Sequence, residues 1–293
     1  MGDLIIDETY YVDVNRVSPE APVVVAELTK ATPSRTLGGV GMAARYAEKH
    51  KMPYGVLTSV QPKNIPLFYD MNLFPIYLEG QNVTKTRLIG NRHKYHIVRI
   101  DNDNIADQRT PTSKEVRNAI QTIKEQYDVE MVCLLNYNKG FFSEDILSEI
   151  YNNFDVPTFV DTGTNFSLFK NCDFVRMNDE EFSNYIEGIN KGQEKVSDNT
   201  TIIVTGGKAG AWYFLPHSVS STHVEISKLN KREGIPDTTG CGDIFDVSFC
   251  KKFVEEKEKS GEVYSDKIDS AVEYAVARSS EFAHEDFKTR LII

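Results

Sequence analysis

The chain has 293 residues, 40% of them hydrophobic and 26% charged, which is the composition of a folded globular protein and excludes a disordered or fibrous one. Its 33 basic and 43 acidic residues give a formal charge of −10, which argues against a nucleic-acid surface but leaves room for a local cationic pocket. Cys133, Cys172, Cys241 and Cys250 form neither a CxxC pair nor a metal-ligand spacing, and read as reduced thiols.

The opening MGDLIIDETYY lacks a basic segment followed by a long apolar run, so it is not read as a signal peptide. No apolar run approaches the ~20 residues of a membrane helix. A cytoplasmic protein with no membrane partner is expected.

In chain order, Tyr10, Val12 and Val14 alternate with polar neighbours, and a second apolar run covers residues 23–26. NRVSPEAP lies between them, so two strands joined by a rigid turn are predicted, forming a small β element outside the main core. From Gly38 onward, strands and helices alternate. The pattern predicts strands at 54–60, 86–88, 95–100, 131–135, 158–161, 174–177 and 201–205. Helices are predicted at 40–50, 113–127, 143–152, 180–188, 243–259 and 267–283. Apolar strands alternating with amphipathic helices indicate a mostly parallel sheet covered on both faces.

The stretch DTTGCGD, residues 237–243, runs straight into IFDVSFCKKF. A helix beginning at Asp243 would put the amides of Gly240, Cys241 and Gly242 at its positive end, where a phosphoryl group can be held and its developing charge stabilised. Asp243 is the candidate to accept a proton from an attacking hydroxyl, and a plain N-cap explains the segment equally well. VTGGKAG, residues 204–210, follows a strand and suits nucleotide phosphates, although a simple glycine turn also accounts for it. In MNDEEF, residues 177–182, Asn178 and Glu181 could order the waters of Mg²⁺, and taken alone they read first as an acid-rich helix start.

Asp3, Asp7, Gly38 and Gly39 could line a polyol pocket. Lys85, Arg87, Arg92, Lys94 and Arg99 fall within TKTRLIGNRHKYHIVRID, residues 84–101, a cationic cluster for a substrate phosphate or else the exposed face of a hairpin. His93 and His96 read as surface residues. Gly39-Val40-Gly41-Met42-Ala43-Ala44 fits a GxGxxA dinucleotide fingerprint, but TKATPSRTL before it is not a buried apolar strand, and no acid ends YGVLTSV. A GxxxxGK[ST] P-loop is absent, so phosphate handling must use another architecture.

Taken in order, Gly38–Gly39, NDEE, TGGKAG and DTTGCGD resemble the PfkB/ribokinase family of carbohydrate kinases across nearly the whole chain. Within it, GDLIIDETYYVDVNRVSPEAPVVV, TKTRLIG, NYNKG at 136–140 and the Asp161 segment look like the D-glycero-D-manno-heptose 7-phosphate kinases, the kinase half of bifunctional heptose-synthesis proteins. The resemblance implies one ribokinase-like domain over residues 1–293, an α/β/α sandwich with a mostly parallel sheet. It also implies a small β-sheet lid within about 8–30 and 84–100, used as a homodimer interface.

The resemblance further implies ATP with Mg²⁺, Asp243 as catalytic base and the amides of Gly240, Cys241 and Gly242 as an anion hole. Asn178 and Glu181 would order the metal and its waters, Glu181 through water. Thr205, Gly207 and Gly210 would lie near the nucleotide. Asp7, Gly38, Gly39, Lys85, Arg87 and Asp161 would hold the sugar or sugar phosphate. A kinase for another sugar, of hexose or ribose type, and a non-catalytic ribokinase-like binding protein stay open beside it.

This chain departs from the family at the sugar end. Met42 stands where an Asn touches the sugar, Asn136-Tyr137 stands for Asp-Tyr, and Asp161-Thr162-Gly163 stands for Asp-Pro-Lys. RSSEFAHEDFKTR lacks the Gly-containing pattern beside the family's monovalent-cation site, so that cation stays an open expectation. Met1 falls inside the expected first strand, which is therefore expected to be short.

Overall fold

Strands that are buried along nearly their whole length must be covered on both faces. In a computed structural model describing residues 1–77, 81–92, 95–103, 110–192, 195–226, 238–258 and 264–285, four such strands run side by side in parallel: β8 (Val132–Asn136), β9 (Thr158–Thr162), β10 (Phe174–Asn178) and β11 (Thr201–Thr205). Next to β11, β12 (Ala211–Phe214) and β13 (Ser221–Val224) add antiparallel. At the other edge, β4 (Val56–Val60) and β5 (Leu73–Tyr77) pair in parallel, and Gly2 bridges Thr58 of β4 to Leu135 of β8.

Successive side chains along a strand point to opposite faces. Val160, Val175 and Val204 therefore face Ile120 of α2 (Ser113–Gln126) and Ile146 and Ile150 of α3 (Glu144–Asn153), with Tyr185 of α4 (Asp179–Asn190) in the same core. Phe159, Phe174 and Ile203 face the other way, onto Phe249 of α5 (Cys241–Glu258) and Ala271 and Val272 of α6 (Tyr264–Ala283). The result is the expected three-layer α/β/α sandwich.

A second sheet stands off the first. It contains β1 (Leu4–Val17), β2 (Val24–Leu28), β3 (Ser34–Gly39), β6 (Val83–Gly90) and β7 (His96–Asn102), and leads into α1 (Val40–Lys49). The two strands predicted near the start are present as β1 and β2, paired antiparallel, with wider bounds. The first is a single 14-residue strand beginning at Leu4, and a third strand, β3, pairs back along it from Gly39 to Ser34. The alternation near Tyr10 marks only the half of β1 that leaves the core, because Leu4, Ile5 and Ile6 are all buried and carry no period-2 signal. No helix among the described residues is long and apolar enough to cross a membrane.

Candidate active site

The phenylalanine layer between the sheet and α5 ends abruptly. Two residues beyond Phe159 on β9 is Asp161, and two beyond Phe174 on β10 is Arg176. These two stand in register on neighbouring strands, facing α5. One turn before Phe249 on α5 comes Asp246. The apolar layer thus gives way to a charged one at the carboxyl ends of the parallel strands, where open α/β sheets place their ligands. A cleft of about 490 Å³ opens there, between the two sheets.

Asp243 lies in this cleft at 6% exposure. The helix begins at Cys241 rather than at Asp243 as predicted, so the aspartate sits inside the first turn and is not its N-cap. Gly240, at φ +80°, makes the turn into the helix, and an L side chain is strained in that conformation. Burial pushes the Asp243 carboxyl up to about 7, with Asp161 and Asp7 adding to the effect and Tyr137 and Arg176 opposing it. The Tyr137 hydroxyl donates to Asp243 Oδ1. Burial, then the surrounding carboxylates, hold that phenol far above its ordinary range, so it stays a donor.

Tyr137 is itself held from behind. Asp3 accepts the backbone N–H groups of Tyr137 at 2.8 Å, Lys139 at 3.0 Å and Phe141 at 3.0 Å. Asp3 therefore does not line a polyol pocket; it ties down the loop after β8. The Tyr137 ring closes on Gly39, where a Cβ would lie 3.5 Å from it and 2.6 Å from the Asp3 carbonyl. At Gly38 a Cβ would lie 2.4 Å from Asp7 Oδ2. Gly39 is required by its φ of +58° and the close Asp3 carbonyl, while a side chain at Gly38 would displace the Asp7 carboxylate.

Register separates the two faces of the outer sheet. Asp7, Lys85 and Asp101 align on one face with Thr9, Arg87 and Arg99, while Tyr10, Leu88 and Val98 align on the other with Glu8, Thr86 and Ile100. Asp7, Lys85 and Arg87 line the cleft, and Arg87 forms an ion pair with Asp7. Burial, then neighbouring Arg99, lowers the Lys85 ammonium from its ordinary value. Arg92 is exposed on the turn and His96 is exposed on β7; Lys94 and His93 lie outside the described residues, as does Asp237.

Asn178 and Glu181 line the cleft and also bind each other. Asn178 Oδ1 accepts the Glu181 N–H at 2.8 Å, and Glu181 Oε2 accepts the Asn178 N–H at 2.7 Å. This capping box commits one carboxylate oxygen and leaves Oε1 over Gly163, where a Cβ would come within 2.6 Å of it. Burial raises the Glu181 carboxyl. Among the described residues no group of three or more His, Cys, Asp or Glu could hold a metal directly.

Of the residues singled out in the sequence, Asp7, Gly38, Gly39, Lys85, Arg87, Asp161, Asn178, Glu181, Gly240, Gly242 and Asp243 come together around the cleft. Cys241, Thr205, Gly207 and Gly210 are not among its lining residues. Gly207 and Gly210 form the tight turn between β11 and β12, where a Cβ at Gly210 would meet the Val224 carbonyl at 2.1 Å. Thr205 pairs with Asn178 on the adjacent strand.

Sequence reasoning missed Arg176 as a site residue and treated Tyr137 only as a motif letter. The signal for Arg176 was a lone cation in the otherwise apolar run FVRMN. Asp246, in IFDVSF, carries the matching signal.

No family model matches the chain. Curated relatives named bifunctional protein HldE do match. That of a Nitratiruptor species is 24% identical over 83% of this chain and 54% of the relative. That of Campylobacter jejuni (strain RM1221) is 27% identical over 85% and 55%. The chain spans about half the length of these relatives.

Among solved structures, ribokinase from Giardia lamblia matches with a TM-score of 0.70 at 13% identity, covering 99% of this chain and 93% of that one. Phosphofructokinase-2 from Escherichia coli in complex with potassium matches with a TM-score of 0.66 at 15% identity, covering 99% and 92%. The nucleoside kinase of Methanocaldococcus jannaschii, described as an archaeal member of the ribokinase family, scores 0.65 at 15% identity, covering 99% and 92%. The chain has the ribokinase-like fold, and the resemblance to these kinases and to the bifunctional proteins is borne out.

Proposed function

We propose that the chain is an ATP-dependent carbohydrate kinase working as one kinase unit, with a sugar phosphate as acceptor and D-glycero-D-manno-heptose 7-phosphate as the favoured substrate. The observation that carries this reading is the buried Asp243 beside the glycine turn at the start of α5, facing a cleft whose far wall bears Lys85 and Arg87. Asp243 accepts the proton of the substrate hydroxyl as that oxygen bonds to the γ-phosphorus and the bond to the β-bridging oxygen breaks. Amides at the start of α5 stabilise the charge on the transferring group. Asp7 and the backbone at Gly38–Gly39 hold the sugar hydroxyls, and Lys85 and Arg87 attract the substrate's own phosphate.

A divalent metal, Mg²⁺ in this reading, would neutralise nucleotide phosphates when bound. The free carboxylate oxygen of Glu181 suits a hard cation held through water, consistent with the lack of a direct protein cage among the described residues. In this reading the protein acts in the cytoplasm as a homodimer through the outer face of the second sheet, where Val98 is 43% and Ile100 55% exposed beside Leu88 and Tyr10.

Steady-state kinetics of Lys85→Ala test the acceptor class. With a sugar phosphate as substrate KM rises tenfold or more, about 1.4 kcal/mol, while turnover of the corresponding unphosphorylated sugar hardly changes. Equal loss on both substrates would discard the phosphate-binding role and favour a neutral sugar of hexose or ribose type.

A further inference from the structure

Three buried acids crowd around one cation. Arg176, at 7% exposure, donates through Nε to Asp246 Oδ1 at 2.9 Å and through Nη2 to Asp246 Oδ2 at 3.3 Å, and it forms an ion pair with Asp161. Asp246 is wholly buried and Asp161 is 7% exposed. Asp243, one helical turn before Asp246 on α5, shares its face.

The same guanidinium packs against the glycine loop. A Cβ at Gly242 would lie 2.8 Å from Nη2 and 3.3 Å from both Cζ and Nη1. Arg176 also lines the cleft. A cation buried with two acids is costly to strand, so it holds its partners firmly in place.

We propose that Arg176 is the positioning residue for Asp243: anchored by Asp161 and Asp246 and packed on Gly242, its guanidinium fixes the first turn of α5 and supplies the cation beside which Asp243 ionises. The chemical role of that ionisation rests on the reading of Asp243 as base given above. Asp7 faces Asp243 from β1 but is paired with Arg87 of β6. Tyr137 faces it from the loop after β8, Asp161 from β9 and Glu181 from α4, with Lys85 on the β6 wall and Lys139 on the loop after β8.

Burial works against the charge of Arg176, yet Asp161 and Asp246 outweigh it and keep the guanidinium protonated. Burial raises the Asp246 carboxyl despite Arg176. Asp161 and Asp246 hold the guanidinium together, Asp246 through two hydrogen bonds from the helix.

The test follows the Asp243 carboxyl carbon by NMR in ¹³C-aspartate-labelled protein, with the signal assigned from Asp243→Asn. It uses Arg176→Lys, Arg176→Met and the double variant Arg176→Met/Asp246→Leu, which removes the wholly buried Asp246 together with its cation and leaves Asp161 at the cleft wall, where it is 7% exposed. The expected result is an Asp243 midpoint at least one pH unit higher in the Met variants, with Arg176→Lys close to wild type. The acid limb of kcat/KM for a sugar phosphate moves by the same amount, a tenfold loss at a fixed pH below it. An unmoved midpoint in the folded double variant overturns the proposal. A shifted midpoint in a protein that turns over no sugar upholds Arg176's control of Asp243 and discards the kinase reading instead.

Discussion

In the proposed reading Asp243 meets opposing demands: a proton acceptor has to be ionised, but a phosphoryl-transfer cleft has to exclude water. Burial raises its carboxyl to about 7, so the group is poised near neutrality. The unfolded chain releases this proton near the ordinary carboxylate value, so between about pH 4 and 7 the folded state binds the extra proton. Stability therefore falls as pH rises through that window. Asp243→Asn, which cannot ionise, is expected to unfold like wild type near pH 4 and to exceed it by up to about 4 kcal/mol at pH 8. Urea unfolding at the two pH values checks this, and a pH-independent difference would mean that Asp243 carries no raised titration.

Legibility at this scale divides cleanly. Asp243 was readable because a glycine turn running into an acid leaves a local signature, and Gly38 and Gly39 because adjacent glycines stand out between apolar residues. Asp3 was read as a pocket residue because nothing in MGDLII reveals that its carboxylate will meet three amides more than 130 residues away. Arg176 was overlooked for the same reason, since its partners Asp161 and Asp246 come from another strand and a distant helix.

Among the elements, the parallel strands were the most legible. Residues 174–177 and 201–205 were placed to within a residue of β10 and β11, since a short, mostly apolar run between polar loops has few other solutions. The second sheet was harder. Its strands divide their residues between a cleft face and an outer face, and β1 passes from the buried region to the exposed one within one strand. β5 was missed, its five residues LFPIY being interrupted by a proline that argues against a strand.

The outer face carries an element-scale prediction. Leu88, Val98 and Ile100 align across β6 and β7, and among the described residues nothing covers Val98 or Ile100 much beyond half. Ile100→Asp is expected to convert a dimer into a monomer in light scattering at micromolar concentration, with the thermal unfolding temperature of the core little changed. A wild type that is already monomeric at that concentration would rule the dimer out.

At the scale of the whole molecule, the two ends of the cleft tell different stories. The end built from α5 and the carboxyl ends of the parallel strands keeps the glycine turn, a buried acid and the Asn178–Glu181 cap. The end proposed to hold the sugar carries Met42, Asn136 and Gly163, where the chain departs from the resembling kinases. Met42 packs under the loop at Gly240, where a Cβ would lie 3.3 Å from its Cγ, so it supports the glycine turn with apolar bulk. On the side of Gly163, Arg176 brings a cation to the cleft wall from the neighbouring strand, in register with Asp161. The fold is shared with solved kinases at 13–15% identity, so the chemistry must be judged on this cleft itself.

The most direct measurement is ADP release from ATP and Mg²⁺ in the presence of D-glycero-D-manno-heptose 7-phosphate and a panel of other sugars and sugar phosphates, comparing wild type with Asp243→Asn. The expected result is turnover by wild type that rises with pH through about 7 and falls at least a hundredfold in Asp243→Asn at the wild-type optimum. Nucleotide binding without turnover on any acceptor, or turnover that survives in Asp243→Asn, would contradict a kinase working through this aspartate.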